Sequence, residues 1–144
     1  MKTLFDTSII IAALVESHPM HEIAFPWLKQ AKIKAFELVI ASHTIAELYA
    51  VLSILPIKPR ISPAVAWRLI HENIEAVSKV ISLTSSEYSA IIKRLSESGI
   101  MGGIVYDALI AKVAQKAGVK RLLTFNSEHF KRVWPAGENV IVTP

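Results

Sequence analysis

The sequence predicts an α/β protein in which helices cover both faces of a mostly parallel sheet of four to five strands. Three observations indicate this class. Short apolar runs alternate with longer segments of helical periodicity, as in repeated strand–helix–strand units. Hydrophobic residues make up 52% of the 144 residues, which suits a sheet buried on both sides. No repeat, low-complexity tract or long linker divides the chain, so we expect one domain over residues 1–144.

Five short apolar runs are the expected strands. Each is rich in Val, Ile, Leu or Phe and is bounded by polar or turn-forming residues. In chain order they are KTLFD, FELVIAS, KVISL, KRLLTFN and NVIVTP. Because helical segments separate them, neighbouring strands are expected to run parallel.

The segments between the strands have helical periodicity. In chain order they are TSIIIAALVE, HEIAFPWLKQAK, SHTIAELYAVLSIL, AVAWRLIHENIE, SSEYSAIIKRLSESG and IVYDALIAKVAQKAG. Hydroxyl side chains precede several of them and can accept a bond from a free backbone N–H. We therefore expect Thr7 or Ser8, Ser42 and Ser62 as N-caps, the last with Pro63 at the first helical position.

Proline and glycine mark the interruptions. Pro26 is expected in a first turn or at a kink of its helix, because proline lacks the N–H of the helical bond. The stretch PIKPRISP contains three prolines in eight residues and predicts a loop or hinge. Gly99 and Gly118 are expected to end their helices, since glycine readily adopts the left-handed conformation found there.

Composition excludes several kinds of site. Without cysteine there are no disulfides or thiolate metal sites, so a metal would need oxygen or imidazole ligands. The longest apolar run, Ile9–Val15, is far shorter than the ~20 residues of a membrane span, and no membrane association is expected. Walker A and GxGxxG motifs are missing, which disfavours a nucleotide-cofactor enzyme. A net charge of +4 permits an anionic partner without requiring one.

Four polar residues fall where a parallel sheet binds ligands, at the carboxyl ends of its strands. Asp6 ends the first strand, and Glu47 lies in the first turns of the helix after the second strand. Asp107 lies in the first turn of its helix, and Asn126 ends the fourth strand. Singly, each has an ordinary explanation: an N-cap, a capping box with Thr44, a dipole-favoured acid and a turn residue. Together, three carboxylates with little nearby positive charge predict Mg²⁺ or Mn²⁺ and phosphodiester hydrolysis.

Three stretches carry a resemblance to a known family. LFDTSIIIAAL, ASHTIAELYAVL and GGIVYDALIAKVAQKAGVKRLLTFNSEHF resemble, in order and spacing, the PIN-domain ribonucleases, above all the small VapC-type toxins of toxin–antitoxin pairs. The likeness extends from Lys2 to about Val142. It implies a three-layer α/β/α sandwich that cuts RNA in the cytoplasm with Mg²⁺ or Mn²⁺, leaving 5′-phosphate and 3′-hydroxyl ends.

The resemblance also implies roles for individual residues. Asp6, Glu47 and Asp107 match the family's metal-site acids, and Asn126 stands where the family often has Asp. An amide supplies no charge, so Asn126 is expected to position a water or a metal-bound ligand. Thr124 and Ser8 match polar positions beside the acids. In the implied mechanism a metal held by Asp6 and Asp107 activates a water, while Glu47 completes the shell or assists proton removal.

Partners follow from the resemblance and from charge. It implies a cognate antitoxin and a homodimer, both on the helices TIAELYAVLSIL and AVAWRLIHENI. RNA binding needs cations, for which the candidates are Lys58, Arg60, Lys112, Lys116, Lys131 and Arg132. The spacing of His18 and His21 raises a zinc site, but no other ligand cluster stands nearby. His43, His71 and His129 are isolated along the chain.

Two other readings stay open. A catalytically weak or silent RNA-binding or protein-binding module with the same fold is compatible with Asn126 in place of an acid. An unrelated phosphate-handling α/β enzyme with an acidic Mg²⁺ cleft is the other. A receiver-like domain would need paired acids after its first strand, where this chain has only Asp6.

Overall fold

A computed structural model describes all 144 residues and contains five strands and seven α-helices. The strands are β1 (Lys2–Phe5), β2 (Glu37–Ala41), β3 (Ser78–Ile81), β4 (Arg121–Leu123) and β5 (Ile141–Val142). The helices are α1 (Thr7–Leu14), α2 (His21–Lys32), α3 (Ser42–Leu52), α4 (Pro63–Asn73), α5 (Ser85–Glu97), α6 (Ile104–Ala117) and α7 (Ser127–Val133). Two single 3₁₀ turns, Glu75–Val77 and Pro135–Gly137, complete the chain.

The five strands form one parallel sheet, as the sequence predicts. Their order is β3-β2-β1-β4-β5, and all four neighbouring pairs run parallel. From β1 the chain adds β2 and β3 on one side and then returns to add β4 and β5 on the other. The order of the strands therefore reverses between β1 and β4, where a crevice opens at their carboxyl ends.

Side chains alternate across the sheet and fill two separate cores. Leu4 of β1 and its neighbours Val39 and Leu122 belong to the core under α5, α6 and α7. Phe5 and Leu123 belong to the other core, under α1 to α4. Because a strand presents successive residues to opposite faces, both faces are covered. The predicted three-layer α/β/α sandwich is confirmed. None of the helices combines the length and apolarity that a membrane-spanning segment requires.

Several predicted helix ends are confirmed. The Ser62 hydroxyl accepts a bond from Val65 N at 3.2 Å, with Pro63 as the first residue of α4. Gly118 follows α6 with a φ of 66°, and Gly99 lies just beyond α5 with a φ of 68°. Both glycines occupy the left-handed region that other residues rarely adopt.

Other local predictions are wrong. Helix α1 is capped by the Asp6 carboxylate and not by Thr7 or Ser8, because the strand ends one residue earlier and the helix already includes both hydroxyls. Ser42 makes no cap bond; its hydroxyl pairs with that of Ser82 at 2.5 Å. Pro26 is the sixth residue of α2, which excludes the first-turn alternative, while the kink stays a prediction.

The stretch after β4 also differs from the prediction. The strand ends at Leu123, so Asn126 is not its last residue but the N-cap position of α7. Helix α7 was not predicted, because its seven residues have too few apolar positions for a recognisable period. Its buried Phe130 and Val133 attach it to the core under α6.

Candidate active site

The candidate site lies where the strand order reverses. The chain leaves β1 at Asp6 and leaves β4 at Thr124, so the two residues meet at neighbouring strand ends. Asp6 N donates to the carbonyl of Leu123 at 3.1 Å, and Thr124 Oγ1 donates to Asp6 Oδ2 at 2.6 Å. Sheet pairing thus places a carboxylate and a hydroxyl in contact although 118 positions separate them in sequence.

Asp6 is a buried carboxylate held by three donors and by no cation. Its side chain caps α1 by accepting Ile9 N at 3.2 Å, and Ser8 Oγ donates to the same oxygen at 2.6 Å. Burial raises the pKa of Asp6 to about 6, against the lowering effect of the bonds from Ser8, Thr124 and Ile9. The negative charge of Asp107 raises this pKa further. An ionised Asp6 therefore lacks a compensating positive charge.

Asp107 is the second acid, in the first turn of α6. Burial raises its pKa, and the negative charge of Glu47 adds to the increase. His129 lies in contact, with Nδ1 at 3.2 Å from Asp107 Oδ2, and opposes both effects. Since Asp107 acts on Asp6 and Glu47 acts on Asp107, all three predicted acids belong to one electrostatic group.

Glu47 projects from the second turn of α3 toward the start of α1. Thr7 Oγ1 donates to Glu47 Oε1 at 3.1 Å, and His43 Nε2 lies 3.4 Å from the same oxygen. The predicted capping box with Thr44 is absent. Helix α3 begins at Ser42, so Thr44 is already inside it, and its buried hydroxyl makes no hydrogen bond. The carboxylate of Glu47 is free of its own helix end and belongs to the site.

The chemistry of these donors suits a hard cation. Asp6, Asp107 and Glu47 offer carboxylate oxygens, which Mg²⁺ and Mn²⁺ prefer, and Thr7 adds a hydroxyl. No three His, Asp or Glu side chains form a group that could hold a metal ion in the present arrangement. The carboxylates are bonded instead to protein groups, including His129 on Asp107. A cation bound here would replace part of these contacts.

Asn126 lies beside the acids on the exposed side of the site. Its backbone N donates to Thr124 Oγ1 at 2.8 Å, so the same hydroxyl links it to Asp6. Its amide side chain makes no hydrogen bond within the protein and lines a cavity together with Thr7, Ser8 and Glu47. An amide that is free to bind at this position agrees with an expected role in positioning water or ligand, which stays a prediction.

Two histidines contact the acids although the sequence indicates neither. His43 lies one helical turn before Glu47, and its ring stacks on Tyr106 with centroids 4.7 Å apart. The i,i+4 spacing of His43 and Glu47 on a predicted helix was the signal that could have found it. His129 belongs to the unpredicted α7, so only the fold brings it to Asp107.

One predicted RNA-binding cation is already engaged elsewhere. Lys116 Nζ lies 2.8 Å from Glu87 Oε1 and donates to the carbonyl of Ser82 at 3.0 Å. Its hydrogen bond lowers the pKa of Glu87 to about 2. A second candidate cation, Lys131, has its Nζ 3.9 Å from Glu128 Oε1 on the exposed surface of α7. Lys116 therefore joins α6 to the start of α5, and its role as an RNA-binding cation stays a prediction.

Comparisons with known proteins agree with this architecture. A sequence profile of the PIN domain matches residues 3–134. Ribonuclease VapC27 of Mycobacterium tuberculosis is 35% identical over 109 residues, which are 76% of this chain and 74% of that protein.

Two solved structures have the same fold. VapBC2 from Rickettsia felis, bound to a DNA fragment from the promoter, superposes with a TM-score of 0.68 at 22% identity, covering 100% of this chain and 99% of that one. The M. tuberculosis toxin VapC20, which cleaves the sarcin–ricin loop, superposes with a TM-score of 0.69 at 16% identity. The match covers 88% of this chain and 92% of that one. Sequence and fold together show that the chain belongs to the PIN domain family, among its VapC-type members.

Proposed function

We propose that this chain is an endoribonuclease that hydrolyses RNA phosphodiester bonds with Mg²⁺ or Mn²⁺ in the cytoplasm, as the toxin of a toxin–antitoxin pair. The observation that carries the proposal is the buried Asp6 at the strand-order reversal, which has no cation partner and is raised in pKa by Asp107, itself raised by Glu47. Carboxylates without a Lys or Arg partner are the donors that a divalent cation prefers. The PIN-domain match and the VapC27 relative, which is named a ribonuclease, support RNA as the substrate.

Asp6 and Asp107 are the residues that would hold the cation, with Glu47 completing its shell. A divalent ion so held supplies a nucleophilic water and stabilises negative charge on the phosphate. Ser8 and Thr124 orient Asp6 through their hydroxyl bonds, and Thr7 orients Glu47. Such fixed carboxylates hold their geometry throughout the reaction, as preorganised catalysis requires.

Cleavage of single-stranded and hairpin RNA tests the proposal. We expect products with Mn²⁺ or Mg²⁺, none in EDTA, and none from Asp107→Asn under either condition. Glu97→Gln is the matched control, because that carboxylate is exposed at the far end of α5. Metal-dependent cleavage that persists at the wild-type rate in both Asp6→Asn and Asp107→Asn would rule out these acids as the site.

A protein partner is part of the proposal. One solved neighbour is VapBC2 bound to promoter DNA. The helices α3 and α4 contact each other and carry exposed apolar side chains: Tyr49 on α3, Ile54 just beyond it, and Val65 and Trp67 on α4. We expect an antitoxin and a second copy of the chain to use this surface. Light scattering of Trp67→Glu beside wild type measures the homodimer, and co-purification with the cognate antitoxin measures the complex.

A second function has one observation in its favour. Asn126 replaces an acid, and the carboxylates do not yet form a metal-binding group. A catalytically silent RNA-binding module would bind RNA equally well with EDTA and give no product at any metal concentration. Any metal-dependent product removed by Asp107→Asn excludes that reading.

A further inference from the structure

A cavity of about 430 Å³ opens directly beside the candidate acids. Glu47 and Asn126 of the candidate site line it, together with His18 and Met20 from the α1–α2 loop and Phe125 from the β4–α7 loop. The remaining lining residues are Thr7, Ser8, Ile11 and Val51. Its volume falls within the range of roughly 300–1,000 Å³ typical of small-ligand sites. Whatever occupies it therefore touches two residues of the candidate site.

The walls of the cavity differ in chemistry. Phe125 and Met20 are half-buried apolar side chains, of which one is aromatic and the other polarisable. Thr7, Ser8 and Glu47 are polar lining residues whose side chains are hydrogen-bonded within the protein. The other polar groups are the unbonded amide of Asn126 and the imidazole of His18. A flat apolar surface combined with a few directed donors and acceptors is how proteins recognise an unstacked RNA base.

His18 is held in a defined orientation. Met20 N donates to His18 Nδ1 at 3.0 Å, so the neutral ring carries its proton on Nε2, the remaining nitrogen. The loop is further tied by bonds from His18 N to Val15 O and from His21 N to His18 O, both 3.0 Å. A donor fixed before binding loses little freedom when a ligand arrives.

His21 connects the same loop to helix α1. Its Nδ1 bonds to the carbonyl of Ala12 at 2.9 Å, in the last turn of α1, and its ring stacks on Phe25 with centroids 5.0 Å apart. Helix ends leave such carbonyls without a partner, so His21 anchors the loop to α1. The two histidines of SHPMH thus have different tasks, and neither belongs to a zinc site.

We propose that this cavity is a base-binding subsite for the nucleotide next to the scissile phosphate, and that His18 selects the base. The inference rests on the proposed function, since the subsite is placed by the acids it adjoins. Phe125 provides the stacking surface, His18 Nε2–H donates to an acceptor on the base edge, and Asn126 reads the same edge through its amide. Single-stranded RNA fits this description because its bases are free to leave the stack.

The test separates base selection from cleavage. RNAs containing a randomised hexamer are captured by the protein in EDTA, where no metal-dependent cleavage occurs, and the bound pool is sequenced. We expect one position to be enriched in one base by wild type. His18→Ala should lower that enrichment by about threefold to tenfold, the effect of one lost hydrogen bond, and Phe125→Ala should weaken binding of all sequences.

His71→Ala is the matched control, because His71 is an exposed histidine on α4 away from the cavity. Thermal unfolding of each variant checks that it is folded. If His18→Ala retains the wild-type enrichment, or if wild type enriches no base, the subsite is refuted even when Mn²⁺-dependent cleavage is normal. If instead no RNA is cleaved with Mn²⁺ but the enrichment depends on His18, the proposed ribonuclease fails while the base-binding cavity stands.

Discussion

The charged side chains at the two ends of the sheet differ in whether the protein stabilises their charge. At the amino ends of the strands, the guanidinium of Arg121 lies over the rings of Trp27 and Phe36, 5.0 and 5.2 Å from their centroids. Its Nε also donates to the buried hydroxyl of Thr3 at 3.1 Å. At the carboxyl ends, Asp6 and Asp107 have raised pKa values and no Lys or Arg partner.

The comparison separates stability from function. The cation at the amino ends is satisfied by aromatic rings and a hydroxyl, and such a group stabilises the fold without need of a ligand. Asp6 and Asp107 at the carboxyl ends are less stable ionised than they would be in water, so the fold tolerates their charges at an energetic disadvantage. Groups held in that condition are typical of binding and catalytic sites.

Asp6→Asn should give the largest change, with opposite effects on activity and stability. Cleavage should fall by roughly 10³-fold or more, because a metal-binding charge is lost. The folded-state pKa of about 6 lies above the ordinary 3.8, so ionisation of Asp6 disfavours the folded state at pH 7.5. We therefore expect the metal-free variant to be more stable by about 1–2 kcal/mol at that pH.

The pH dependence of unfolding tests whether ionisation of Asp6 destabilises the folded state. Wild-type stability due to Asp6 is present below pH 4 and is lost as the pH rises through about 6. The advantage of Asp6→Asn in urea unfolding should accordingly disappear between pH 6 and 4. An equal advantage at pH 4 and 7.5 would mean that ionisation of Asp6 is not its cause.

Arg121→Ala, at the amino ends of the strands, should lower stability and leave cleavage unchanged, the opposite of Asp6→Asn. Loss of two cation–π contacts and of the bond to buried Thr3 should lower the free energy of unfolding by about 2–3 kcal/mol. Cleavage per folded molecule should stay at the wild-type level. Urea unfolding and active-site-normalised rates measure the two quantities, and Arg121→Lys controls for charge without the planar group. If Arg121→Ala lost cleavage but kept its stability, the amino end of the sheet would not serve stability alone.

Thr124→Val should change the pKa and orientation of Asp6 while all three acids stay in place. The Thr124 hydroxyl lowers the pKa of Asp6, so its loss raises that pKa further. We expect cleavage to fall by about 10–100-fold and the acidic limb of the pH–rate profile to move to higher pH. Thr124→Ser should restore both, since it keeps the hydroxyl. A uniform fall in rate with an unmoved limb would assign Thr124 a purely structural role.

Lys116→Met should have the smallest effect on RNA. Lys116 is bonded to Glu87 and the Ser82 carbonyl, so cleavage and RNA affinity should change by less than about twofold, whereas loss of a phosphate contact would reduce the salt dependence of binding. The pKa of Glu87 should rise from about 2 toward its ordinary value, which carboxylate NMR titration measures. A weakened salt dependence of RNA binding would show that Lys116 contacts phosphate after all.

Much of the fold could be predicted because its signals are local. The strands β1 to β5, the Ser62–Pro63 start of α4 and the glycines beyond α5 and α6 follow from short apolar runs and from the conformations that Ser, Pro and Gly prefer. Helix α7 was missed because only Phe130 and Val133 hold it to the core, and that attachment depends on distant residues. The sequence offered Thr7, Ser8 and Asp6 as caps of α1, and the end of β1 at Phe5 made Asp6 the cap.

The site divides in the same way. Pattern and resemblance together led to Asp6, Glu47, Asp107 and Asn126, because carboxylates after apolar strands are a local feature and parallel strands share an edge; their catalytic roles stay a prediction. The resemblance also placed Thr124 and Ser8 beside the acids, and both hydroxyls are bonded to Asp6. Only the tertiary structure brought Thr7 to Glu47 and His129 to Asp107, which are 40 and 22 positions apart in sequence.

By itself, then, the sequence determined the layered α/β class and which acids stand at the ends of its strands, since both depend on residue type and spacing. The tertiary structure decided that β1 and β4 are neighbours, that burial raises the pKa of Asp6, and that His18 reaches the cavity beside Asn126. Burial and long-range contact depend on how remote segments pack, and no local pattern encodes that packing.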